Sequence, residues 1–212
     1  LQQSHLSVRI SVIITDYTMR QIISLLLMVI SAMTSAATYQ VMNIDEPITP
    51  VTVDYLQQSL SQTPTNNANA LIIKLNTPGG LLSATETLVK EILNSRIPVI
   101  VYVSPKGAQA ASAGTFLVYA SDLAAMAPGS RLGAATPVSM GSETSTDMQK
   151  KASSDTAAWL KSIAQHKNRM QKFAVSAVTN AESMTAVEAK KAGVIDFLAD
   201  DLADLLKQLD GK

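Results

Sequence analysis

Residues Ala70 to Gly80 read ALIIKLNTPGG: a six-residue run, Ala70 to Leu75, with a single polar member, then Asn76-Thr77 and a turn at Pro78-Gly79-Gly80. An apolar stretch of that length, closed by a turn, reads as a strand buried on both faces, as in a sheet covered by helices. Ser83 to Asn94 follows with Leu88, Val89, Ile92 and Leu93 at helical spacing, and Pro98 to Val103 (PVIVYV) repeats the buried-strand pattern. Strand, helix and strand in this order predict an α/β domain.

The same alternation extends outward. Tyr39 to Ile44 reads as a strand and Val51 to Gln62 as a helix with Val53, Leu56 and Leu60 on one face, followed by a polar loop from Thr63 to Asn69. Downstream, Gly107 to Ala120 reads as a loop running into a helix, Leu123 to Met126 as a brief strand, and Pro128 to Pro137 as a turn region. Val138 to Thr146 turns to Ser, Thr, Gly and Glu and is the candidate mobile loop. A helix is expected from about Ser154 to His166 on Ala157, Leu160, Ile163 and Ala164. Thr185 to Glu188 has capping-box spacing before a helix ended by Gly193. Val194 to Leu198 reads as a strand and Asp201 to Leu209 as a terminal amphipathic helix. No internal repeat or second domain is visible.

Upstream, Ile22 to Met33 is an apolar run preceded by Arg20 and followed by Thr34-Ser35-Ala36-Ala37. Positive end, apolar middle and small-residue exit describe a secretory signal peptide cleaved after Ala37, the alternative being an uncleaved anchor. The run is short against the roughly 20 residues of a bilayer span. Met19 is the natural start of such a leader, which makes residues 1–18 an upstream extension. Residues 1–37 are thus set apart from a folded domain over 38–212, expected on the extracytoplasmic or periplasmic face of the membrane.

The 212 residues carry 17 Lys+Arg and 17 Asp+Glu, and setting aside Arg9, Arg20 and Asp16 leaves the domain nearly neutral. No basic block exists to neutralise phosphates, so nucleic acid is not an expected partner. The chain has no Cys, hence no disulfide, thiolate nucleophile or Cys-based metal site, and only His5 and His166. A multi-histidine metal site and a Ser/His/Asp triad both lack candidates. No cofactor or metal is implied.

Two segments can carry chemistry. At Asn76 to Gly80 the glycines allow backbone N–H groups to approach a ligand where a strand meets a helix, although Pro-Gly there also serves turns for steric reasons alone. At Ala110-Ala111-Ser112-Ala113-Gly114, a Ser among small residues at a helix start can present an uncovered Oγ beside free N–H groups. The plainer reading is close helix packing with Ser112 as an N-cap.

Together, LNTPGG at Leu75 to Gly80, AASAG at Ala110 to Gly114, APGSRLGAATPV at Ala127 to Val138 and MTAVEAKKAGVID at Met184 to Asp196 resemble the NfeD family of membrane-associated serine proteases, within the Clp protease and crotonase superfamily. The resemblance covers roughly Tyr39 to Gly211. It implies a Clp protease/crotonase-like spiral of β-β-α units with the Pro-Gly-Gly turn facing the serine across a peptide groove. It makes Ser112 the nucleophile, the N–H groups of Gly80 and Ala113 the oxyanion hole, Gly79 the turn residue on the substrate side, and a lysine the base. Aligning the helix that follows the mobile loop favours Lys151 over its neighbour Lys150; the plainer reading is a solvated basic pair. Lys161 and Lys167 fall on the polar side of that helix, and His166 reads as an exposed helix-end residue.

Such a lysine must be unusual. With a pKa near 10.4, about one molecule in two thousand holds a neutral amine at pH 7, and lowering that pKa to about 8 takes roughly 3 kcal/mol of destabilisation of the ammonium. Because the lysine follows the flexible segment, the site is expected to assemble when Val138 to Thr146 orders. The resemblance also implies a homo-oligomer and, as substrate, an apolar stretch of a stomatin-like membrane partner. Asn76 departs from the Asp common in the family, and because long members continue into membrane helices and a small β-barrel, the sequence is expected to be either a fragment or a short form that relies on a separate membrane partner. Two rivals remain open: a catalytically silent scaffold for apolar peptides, and a crotonase-type acyl-CoA enzyme, which an export leader disfavours.

Overall fold

The computed structural model describes residues 37–62, 68–138 and 145–210, with Met19 and Gln21 besides. The chain divides into two units, 1–36 and 37–212, of which only the second is described at length. The leader expected over 1–37 therefore lies almost wholly outside the described residues, as do 63–67 of the polar loop and 139–144 of the candidate mobile loop. Among the described residues, no helix is long and apolar enough to cross a membrane.

Five strands form the main sheet: β1 (Tyr39–Ile44), β2 (Ala70–Leu75), β3 (Val99–Val103), β5 (Leu123–Met126) and β8 (Phe197–Leu198), in that spatial order and all parallel. Side chains alternate across a strand, and here the alternation sorts them into two cores. Leu71, Ile73 and Leu75 of β2, Val99, Val101 and Val103 of β3, and Ala124 and Met126 of β5 enter one core. It also takes Leu56 of α1 (Pro50–Gln62), Leu88 and Ile92 of α2 (Leu82–Leu93), and Leu117 of α3 (Ala113–Ala120). Ala70, Ile72, Ile100, Tyr102 and Ala125 point the other way, onto Leu205 and Leu209 of α7 (Leu202–Leu209). The near-continuous apolar strands are thus explained by cover on both faces.

The apolar side of the terminal amphipathic helix is spent on the chain's own sheet, with Leu205 and Leu209 buried.

A second sheet orders β4 (Gln109–Ala111), β6 (Arg131–Gly133) and β7 (Ser183–Thr185), with β4–β6 parallel and β6–β7 antiparallel. Between β6 and β7 run α4 (Thr146–His166) and α5 (Gln171–Thr179); α6 (Ala186–Lys191) follows β7. The predicted capping box at Thr185/Glu188 is present.

α4 starts eight residues before the expected Ser154. Ser145 caps it by accepting from Met148 N–H, Asp147 sits favourably in the first turn, and Met148, Gln149, Lys150, Lys151 and Ala152 are good helix formers. Ala157, Leu160, Ile163 and Ala164 are buried as expected. On α1 the buried face is rotated by one residue, onto Thr52, Leu56 and Ser59, leaving Val53 and Leu60 partly covered.

Candidate active site

The Pro-Gly-Gly turn is held from both sides. β2 continues through Asn76, whose N–H donates to Ile44 C=O at 2.8 Å. Thr77 then bridges to Ala110: Thr77 N–H donates to Gln109 C=O at 2.8 Å and Ala111 N–H to Thr77 C=O at 3.1 Å. Asn76 Nδ2 donates to Asp45 Oδ1 at 2.7 Å, while its Oδ1 accepts from Gln109 N–H at 3.0 Å. An amide supplies donor and acceptor at once; a carboxylate would supply only the second and would face Asp45.

Gly79 has φ 122° and Gly80 bridges Ile48. Ile48 N–H donates to Gly79 C=O at 2.8 Å and Leu81 N–H to Ile48 C=O at 3.0 Å. In extended backbone successive N–H groups point opposite ways, so Gly80 N–H faces away from Ile48. A Cβ on Gly80 would come within 2.1 Å of Ile48 O, so only glycine fits.

Ser112 stands between β4 and α3 at φ 50°, ψ −112°, a conformation L-residues adopt at a cost of about 1–3 kcal/mol. The strain is held by the surroundings. Ser112 N–H donates to Gly133 C=O at 2.9 Å. The buried Thr115 hydroxyl lies 2.9 Å from Ala110 C=O and accepts from Gly133 N–H at 3.0 Å, tying the elbow to β4 and β6. Ser112 precedes the helix, yet its side chain makes no capping bond. Ser112 thus holds the N-cap position without capping through its side chain, and the packing reading holds alongside: a Cβ on Gly114 would meet Thr77 Cγ2 at 2.8 Å.

Ser112, Gly80 and Ala113 line one cavity of about 280 Å³, with Leu81, Leu82, Phe116 and Val138 among its apolar walls. Leu81, Leu82 and Val138 are exposed, which gives the cavity a greasy mouth. Ala113 is the first residue of α3, so its N–H has no intrahelical acceptor and lies at the positive end of the helix dipole. Among the described residues no cluster of His, Cys, Asp or Glu suits a metal ion.

The lysines stand elsewhere. Lys150 and Lys151 are exposed on the second turn of α4. Lys151 lines a separate groove with Met148, Ala152 and Asp155, and neither lysine lines the Ser112 cavity, which α4 reaches through Thr156. Lys167 pairs with Asp122 at 2.7 Å and His166 is exposed at the helix end. His5 lies outside the described residues.

The residues that lock the site, Ile48, Thr115 and Gly133, were not singled out by the sequence, because each acts through long-range pairing.

Residues 38–210 match the NfeD1b N-terminal domain. The chain belongs to this family. Membrane-bound protease PH1510 of Pyrococcus horikoshii is 40% identical over 166 residues, covering 77% of this chain and 38% of the relative. Membrane protein NfeD1b of Bacillus subtilis is 28% identical over 201 residues, covering 89% and 45%. The chain thus spans less than half the length of either relative. Two solved structures of the 1510-N membrane-bound stomatin-specific protease, a Ser-to-Ala mutant and a Lys-to-Ala mutant in complex with a substrate peptide, match with TM-score 0.77 and 38% identity. They cover 84% of this chain, and 87% and 82% of theirs. This NfeD1b-family chain has the Clp protease-like α/β fold of those proteases.

Proposed function

We propose that the chain is a serine endopeptidase domain that cuts apolar peptide segments with Ser112 as nucleophile. The observation that carries this reading is the strained Ser112 elbow, whose uncapped Oγ shares a cavity with the N-terminal residue of α3 and with Gly80. Attack of Oγ on a peptide carbonyl places negative charge on the carbonyl oxygen, and the N–H groups of Gly80 and Ala113 are suited to receive it. Gly79 leaves room for the nucleophile, and Leu81, Leu82 and Val138 suit apolar residues beside the scissile bond.

Lys151 is the general base in this reading. Its neutral amine takes the Ser112 proton as the Oγ–carbon bond forms, and the ammonium returns it to the departing amine as the C–N bond breaks. Water then hydrolyses the acyl ester. Because catalytic hydrogen bonds often close only in the substrate complex, this role requires the second turn of α4 to approach Ser112 when peptide is bound. The Lys-to-Ala mutant of the related protease, studied with a substrate peptide, supports a lysine in the chemistry.

The relatives' names support a membrane-associated protease acting on a stomatin-like partner. The leader read from the sequence adds export to the extracytoplasmic side, and the family resemblance adds a homo-oligomer. The position of Lys151 in a neighbouring groove favours one rival, a peptide-binding scaffold without turnover. Labelling by a serine-directed phosphonate separates the two. Modification of the parent and not of Ser112→Ala supports the peptidase; an inert parent that still binds apolar peptides leaves the scaffold.

A further inference from the structure

The Ser112 cavity has a neighbour beside α4. A second depression of about 250 Å³ lies between α2 and α4, lined by Leu82, Glu86, Lys90, Asp155, Thr156 and Trp159. Leu82 and Thr156 line both spaces. Phe116 on the wall of the first stacks on Trp159 of the second, with ring centroids 4.4 Å apart. The two depressions therefore adjoin.

We propose that this second depression is a subsite for a basic side chain, Lys or Arg, of the peptide substrate. The inference rests on reading the Ser112 cavity as a peptide site and adds a substrate feature to it. Leu82 and Glu86 are one helical turn apart, about 6 Å along the axis, which an extended peptide covers in about two residues. The basic residue therefore sits two to four residues from the bond held at Ser112.

The chemistry of the lining selects the occupant. Leu82 and Trp159 give an apolar floor on which the methylene stem of Lys or Arg packs while its charge stays at the wet rim. Glu86 and Asp155 reach the rim from different helices, and neither has an ion-pair partner in the structure among the described residues. An acidic side chain would meet two carboxylates. Lys90, one turn beyond Glu86, opposes the cation and limits the preference, which at an exposed site amounts to about threefold.

The test uses apolar peptides carrying one Lys, or its neutral stand-in norleucine, at positions two to four on either side of the scissile bond. Binding is measured on the Ser112→Ala protein and hydrolysis on the parent. The Lys peptide is expected to bind about threefold tighter at adjacent positions on one side. The ratio should fall to about one in Glu86→Gln/Asp155→Asn, rise in Lys90→Gln, and shrink with salt as the charges are screened. Equal affinities at every position, a preference that survives the double substitution, or no binding of either peptide overturns the subsite. If the binding preference appears and the parent cuts neither peptide, the peptidase reading fails and the subsite stands. Ser112-dependent cleavage with no preference leaves the reverse.

Discussion

Gly79 rests against Ser112 so closely that a Cβ built on the glycine would lie 2.7 Å from Ser112 Cβ and 3.2 Å from its Oγ. The two motifs, about thirty residues apart in sequence, meet at van der Waals contact, joined by the Thr77–Ala110 bridge. Each carries an unusual backbone, φ 122° at Gly79 and φ 50° at Ser112.

Gly79→Ala should therefore injure the site directly. Strain at positive φ and the clash with Ser112 together are expected to cost about 1–3 kcal/mol of stability. Phosphonate labelling of Ser112 should slow by more than that loss explains. Denaturant midpoints beside labelling rates, under conditions where both proteins are fully folded, check this.

Thr115 is a positioning residue for the Ser112 elbow. Thr115→Val leaves Gly133 N–H without its acceptor, at a cost of about 1–3 kcal/mol, and Thr115→Ser keeps the hydroxyl. We expect labelling to be lost in the first and largely rescued in the second. Equal labelling of both would remove Thr115 from the account of the nucleophile.

Arg169, only 7% exposed, donates to Val194 C=O at 2.8 Å, to Ser121 C=O at 3.3 Å and to Asp196 at 2.9 Å, linking the end of α4 to the main sheet. Arg169→Ala should cost about 1–3 kcal/mol, because it leaves two buried carbonyls without their donor, while the partly exposed Asp196 keeps the bond from Ala124 N–H. Urea unfolding reads this, and a loss below about 1 kcal/mol would show the cluster to be well hydrated instead.

Alkaline pH should weaken the fold through Tyr102. Burial, and then Asp201, Asp204 and Asp200, push its hydroxyl up to about 12 from an ordinary 10. The unfolded chain loses that proton first, so the stabilisation is whole below about pH 10 and is lost as pH rises towards 12. Burial raises Tyr119 in the same direction. Tyr102→Phe gives up the bond to Ala199 C=O, lowering stability at pH 8, and should flatten the fall between pH 10 and 12. Urea midpoints across that range test the sign.

How much the sequence discloses depends on how local the cause is. ALIIKL and PVIVYV declare a doubly covered sheet because burial writes itself into each strand, and the Thr185/Glu188 box declares a helix start within four residues. The polar opening of α4 reads as a loop because nothing packs on it: residues 145–152 are exposed, so no apolar stripe marks them. α5 buries Phe173, Ala174, Ala177 and Val178, a helically spaced stripe that stands out weakly in the sequence because half of it is alanine. At the site, Ser112 and the glycines are legible as motifs, whereas Ile48, Thr115 and Gly133 matter through partners 18 to 32 residues away.

The most direct test is hydrolysis of apolar peptides by the parent, Ser112→Ala, Lys151→Ala and Lys150→Ala across pH 6 to 10. Loss of turnover in the Ser112 and Lys151 variants at every pH, with retention in Lys150→Ala, is the expected result. Undiminished hydrolysis in Ser112→Ala, or a parent that binds peptide without cutting it, would contradict the assignment of Ser112 as nucleophile.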